Sequence, residues 1–128
     1  MSGNPLRWVC DRDGCFNRVK RPKIEVFSDC FEHGINFGDV DGLVERNGHF
    51  LLLEWKSVRK VPIGQQRLHS AILRDDRWTI VLVCGDPESM RVDSFEVRRK
   101  RGRQTGIGLP ALKAKMRSWF LYAERTRT

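Results

Sequence analysis

Leu43-Val44-Glu45-Arg46-Asn47-Gly48-His49-Phe50-Leu51-Leu52-Leu53 reads as a β-hairpin. Asn47-Gly48 accepts positive φ at both positions, as a two-residue type I′ turn requires, and such a turn sets the register of the strands it joins. With Arg46 facing His49, Val44 meets Leu51, Gly42 meets Leu53, Asp41 meets Glu54, Val40 meets Trp55 and Asp39 meets Lys56. Side chains alternate along a strand, so Val40, Val44, Leu51, Leu53 and Trp55 are expected on a core face. Asp39, Asp41, Glu54 and Lys56 are expected on the other.

Carboxylates directly opposed across a ladder repel unless something compensates them. A divalent cation does so, and an all-oxygen donor set suits Mg²⁺ or Mn²⁺, which keep waters and complete their shell with substrate phosphate. Asp41 and Glu54 are therefore the expected metal ligands. Asp39 points the same way and is the alternative ligand.

Asp41, twelve intervening residues and Glu54-Trp55-Lys56 resemble the motif of the PD-(D/E)XK nuclease superfamily, the restriction-endonuclease-like fold. The resemblance spans residues 35 to about 85. It implies an α/β fold with an αβββαβ core, a central mixed sheet flanked by helices, here with an added C-terminal helix. It also implies that Asp41 and Glu54 hold the metal while Lys56 activates the attacking water and stabilises the pentavalent phosphate. A Gln on the following helix often joins the site; Gln65 is the expected residue and Gln66 the fallback. Gly-Asp-Val-Asp stands where the family name has Pro-Asp. An upstream helix of the family often adds a Glu, and Pro22 to His33 has the form of that helix, with Pro near its start, Gly34 after its end and Ile24, Phe27 and Phe31 as an inner stripe. Glu25 and Glu32 are its candidate accessory acids.

The remaining chain supports an α/β reading. Pro62 to Arg74 is expected as a helix with Leu68 and Ile72 facing the sheet, Trp78 to Cys84 as a buried strand and Met90 to Val97 as an edge strand. Pro110 to Ala123 is expected as a helix whose inner stripe is Leu112, Met116, Trp119, Phe120 and Ala123. At helical spacing Trp119 is a core residue rather than a base-stacking platform. His69, one turn after Gln65, reads as an exposed or phosphate-contacting residue, with an acid or base facing the site as the alternative, and His49 as plain surface.

With 128 residues the chain is expected to form one domain, 1–128, with an N-terminal extension over 1–21 and a basic C-terminal segment over 98–128. The net charge is +8, which points to a polyanionic partner. From Arg98 onward there are ten Lys or Arg and one acid, Glu124. Arg98, Arg99, Lys100, Arg101 and Arg103 form the densest cluster and the expected DNA-binding segment, through phosphate contacts that are salt-sensitive and sequence-independent.

Cys10-x4-Cys15 and Cys30-x2-His33 have spacings that tetrahedral zinc can use. Structural zinc would order the N-terminal extension; the competing reading is four reduced cysteines, with Cys84 in the core strand. No apolar run has transmembrane length and no secretory signal follows Met1, so the chain is expected in the cytoplasm without a membrane partner. The expectation is a Mg²⁺-dependent deoxyribonuclease, of endonuclease type, that hydrolyses DNA and can dimerise. There the metal would stabilise developing charge and help generate hydroxide from water. The alternative is a non-catalytic nucleic-acid-binding protein that keeps the fold; an RNA-binding protein of ribosomal type leaves the facing carboxylates without a role.

Overall fold

The computed structural model describes residues 22–38, 40–56 and 63–127. The chain divides into two compact units, Met1–Asp39 and Val40–Thr128.

In the first unit, Ile24–Cys30 forms a 3-10 helix with no buried residue. The expected α-helix to His33 is thus shorter and tighter, and its stripe is not a core: Phe27 and Phe31 are exposed and meet Phe37 edge-on. His33 and Gly34, with φ of 62° and 71°, turn the chain after it.

The second unit is built on a sheet of five strands in the order β1 (Gly42–Arg46), β2 (His49–Lys56), β3 (Trp78–Asp86), β4 (Arg91–Arg99) and β5 (Gly102–Gly106). β2 and β3 are parallel and joined across helix α1 (Ile63–Ile72); the other pairs are antiparallel, and α2 (Leu109–Arg125) follows β5. It is a mixed α/β sheet with helices, as expected.

Asn47 and Gly48 have φ of 51° and 84°, the geometry of a type I′ turn. The register that this turn implies is observed from Arg46↔His49 through Val44↔Leu51 to Gly42↔Leu53. The turn has a second use: Asn47 Nδ2 donates to the carbonyls of Ala123 at 3.0 Å and Glu124 at 3.1 Å, near the end of α2, where carbonyls lack helical partners. Arg46 beside it makes a two-pronged pair with the Glu124 carboxylate, at 2.6 and 2.7 Å.

Two cores form on opposite faces of the sheet. Leu51, Val81, Val83, Phe95, Leu112, Trp119 and Ala123 pack together on the α2 face, with Leu53, Trp55 and Met116 against them. Leu52, Ile80 and Leu82 form the α1 face with Ile72, Leu73 and Trp78. β3 lies at the centre, and Thr79 through Val83 are buried on both sides, as its unbroken apolar run suggests. Each fully buried aliphatic side chain contributes roughly 1.5–3 kcal/mol of transfer free energy.

Several local expectations are corrected. Val44 is 47% exposed and Val40 44%, because β1 is an edge strand that α2 meets at Arg46 and the turn beside it. Phe120 is 46% exposed, one position off the buried stripe Leu112, Trp119 and Ala123. β4 is not an edge strand: β5, within the basic C-terminal segment, pairs with it outside. On α1, Leu68 is 45% exposed and His69 takes its place against the sheet. His49 is not surface but buried, its ring donating from Nε2 to the Thr126 carbonyl at 2.6 Å and packing edge-on against Tyr122.

Candidate active site

Glu54 and Lys56 occupy the last turns of the pleat at the carboxyl end of β2. Ligand sites of open α/β sheets gather at the carboxyl ends of parallel strands, where the chain leaves the sheet for a helix. Alternation sends both side chains to the α1 face, while Leu53 and Trp55 pack under α2. Trp55 is locked there by its indole N–H, which donates to the Gly85 carbonyl at 3.1 Å.

Glu54 is nearly enclosed, its side chain 5% exposed against 23% for Lys56, and Lys56 Nζ lies 3.8 Å from Glu54 Oε2. The same carboxylate oxygen accepts a hydrogen bond from Gln65 Nε2 at 3.2 Å. Gln65 reaches it from the first turn of α1. Glu54, Lys56 and Gln65 are thereby brought together from two elements. A buried carboxylate tolerates enclosure only with such compensation.

Asp41 precedes β1 and is exposed. Its backbone N–H donates to the Leu53 carbonyl at 3.1 Å, and its carboxylate accepts from the backbone N–H of Trp55, the residue between Glu54 and Lys56. The ladder register ends at Gly42↔Leu53, so Asp41 meets β2 through its backbone N–H and its carboxylate and is not paired opposite Glu54 as expected. Asp39 lies outside the described residues. Gln66 is exposed on α1, and Glu25 and Glu32 are exposed in the first unit. Among the described residues, no group of three or more His, Cys, Asp and Glu side chains is arranged to hold a metal ion.

A cleft of about 490 Å³ opens beside Lys56, lined also by Cys84, Ser94, Glu96, Arg98 and Thr105. These residues come from β3, β4 and β5, and only the register of β5 reveals Thr105 as a neighbour of Glu96. Glu96 and Arg98 are neighbours on one face of β4 and form an ion pair. The basic cluster is therefore divided by strand alternation. Arg98 lines this cleft, whereas Arg99 turns to the other face, donating to Thr79 Oγ1 at 3.3 Å with its guanidinium 4.9 Å from the Tyr122 ring centre. Lys100 and Arg101 form the β4–β5 turn, and Arg103 opposes Arg98 across the ladder.

His69 follows Gln65 by one helical turn and is 1% exposed. Enclosure, then the positive charges of Arg98 and Lys56, push its pKa down, so it is neutral at pH 7. Of the zinc candidates, Cys10 and Cys15 lie outside the described residues, while Cys30 and His33 are exposed. No described helix is long and apolar enough to cross a membrane. Comparison with family models, with curated proteins and with solved structures finds no match to this chain.

Proposed function

We propose that this chain is a metal-dependent nuclease that hydrolyses DNA phosphodiester bonds with the restriction-endonuclease-like arrangement of a PD-(D/E)XK enzyme. The observation that carries the reading is the enclosed Glu54 carboxylate, held by Gln65 and accompanied by Lys56 at the carboxyl end of a parallel strand. A purely structural hairpin has no use for a buried acid at that point, since burial of a charge is costly and its replacement by a packed apolar residue is often neutral or stabilising.

The donor chemistry suits a hard cation. The carboxylates of Glu54 and Asp41 would hold Mg²⁺ or Mn²⁺. Bound there, the ion supplies Lewis acidity toward a phosphoryl oxygen. The chain's own residues do the rest. Lys56 opens onto the cleft, where its ammonium neutralises a non-bridging phosphate oxygen and the charge that develops on it. Gln65 holds Glu54 in one orientation, and the Trp55 backbone N–H holds Asp41. The net charge of +8 favours a polyanionic partner, and Arg98 lies in the cleft where a flanking phosphate would pass.

The test is incubation of purified protein with plasmid, linear and branched DNA, with Mg²⁺ or with EDTA. EDTA-sensitive cleavage by the wild type is expected, abolished in Glu54→Ala and Lys56→Ala while DNA binding is nearly retained. Cutting by those variants at the wild-type rate would put the chemistry elsewhere. Salt-dependent binding with no cleavage of any substrate would favour the non-catalytic DNA-binding reading.

A further inference from the structure

His69 and Gln65 are four residues apart on α1, so their side chains stand one above the other on one helix face. Three of their polar atoms are buried without a hydrogen-bond partner among the described residues: Nδ1 and Nε2 of His69 and Oε1 of Gln65. Buried polar atoms in native proteins are almost always satisfied, and a cluster of exceptions calls for a bound species. The groups acting on the imidazole from the sheet are Lys56 of β2 and Arg98 of β4, both positive, which disfavours a cation in that space. A neutral imidazole offers one N–H and one lone pair, whereas the Gln65 oxygen only accepts. A water molecule matches both: it accepts from the ring N–H and donates to Oε1, and polar niches of this kind retain such waters.

We infer that His69 is a positioning residue of the site, holding through a buried water the Gln65 carboxamide that hydrogen-bonds Glu54. The chain is His69 N–H to water, water to Gln65 Oε1, and Gln65 Nε2 to Glu54 Oε2, the last link being observed at 3.2 Å. Without it the Gln65 amide has one fixed end, its hydrogen bond to Glu54 Oε2. Outer partners of this type are worth as much to a site as some of its ligands. The consequence for turnover rests on the nuclease reading, whereas the water-held amide does not.

The experiment follows the Gln65 side-chain amide in full-length protein by 1H–15N NMR, its signal assigned from its absence in Gln65→Leu, alongside cleavage kinetics. In wild type the amide protons exchange slowly with solvent. In His69→Leu, which keeps the volume and removes both nitrogens, they should exchange at least about tenfold faster while the melting temperature moves little, and kcat should fall roughly 10- to 100-fold with KM little changed. His69→Gln, which restores a donor and an acceptor, should recover part of both. Unchanged amide exchange in both variants would overturn the proposal, as would wild-type kcat in a folded His69→Leu protein. Should His69→Leu not fold, His69→Gln decides, because slow exchange and activity there show that the donor and not the ring is needed, and fast exchange refutes it. A wild type that cleaves no DNA defeats the nuclease reading alone, since the exchange measurement still decides the role of His69.

Discussion

Gln65 Nε2 donates to Glu54 Oε2 at 3.2 Å, and this bond ties the first turn of α1 to the end of β2. It is a charge-assisted bond in an enclosed place, stronger than a neutral one at the surface. Gln65→Leu removes the donor and leaves the acid enclosed, so it is expected to cost about 1–3 kcal/mol of stability. Urea unfolding at pH 7 measures it, and Glu54→Gln in the same background should return part of the loss, because the buried negative charge is then gone.

Gly85 sits at the register shift between Cys84 and Gly85 where β4 bulges against β3. A Cβ there would stand 2.0 Å from the backbone oxygen of Arg91, and backbone cannot yield as a flexible side chain does. The Gly85 carbonyl also receives the Trp55 indole N–H, so a shift would reach the strand that carries Glu54 and Lys56. Gly85→Ala is expected to destabilise by about 4 kcal/mol or more, among the larger single-residue effects, read as a lowered denaturation midpoint.

The Arg46 guanidinium, bonded to Glu124 through two nitrogens, holds that carboxyl below its ordinary value of 4.5. A carboxyl with a depressed folded pKa contributes stability that is present above its unfolded pKa and is lost as pH falls through the folded pKa. Wild type should therefore lose more melting temperature between neutral pH and about pH 3 than Glu124→Gln does. Asp75, held at about 2 by hydrogen bonds from Arg77, adds a loss of the same sign further into acid, absent in Asp75→Asn.

Arg98 and Arg99 are adjacent in sequence and on opposite faces of the sheet. With DNA in the cleft beside Lys56, Arg98→Ala should weaken binding and lower the slope of affinity against salt by about one phosphate contact. Arg99→Ala should leave both near wild type. Fluorescence anisotropy across a salt series reads the difference. Equal effects of the two substitutions would show that the basic run acts as a whole and not by faces.

Legibility in the sequence follows the range of the forces involved. Asn47-Gly48 announced its turn because positive φ at two successive positions is a local steric property, and the register from Arg46 to Gly42 came with it. The apolar run of β3 and the helical spacing of Leu112, Trp119 and Ala123 were legible for a similar reason, since periodicity records which face is buried. β5 was not, because Gly102-Arg103-Gln104-Thr105-Gly106 contains no apolar side chain and becomes a strand only by pairing with β4.

The sequence by itself determined the hairpin, the face of β2 that carries Glu54 and Lys56, and the placement of Gln65 one helix later, because each follows from alternation, turn sterics or helical spacing within a short stretch. Only the tertiary structure decided that Asp41 engages the Trp55 backbone, that the basic run is divided between two faces, and that His69 rather than Leu68 is buried against the sheet. Those outcomes depend on where β1 leaves the ladder, on which strand β4 pairs with and on how α1 is rotated over β2 and β3. These are contacts between elements distant in sequence, and local patterns do not encode them.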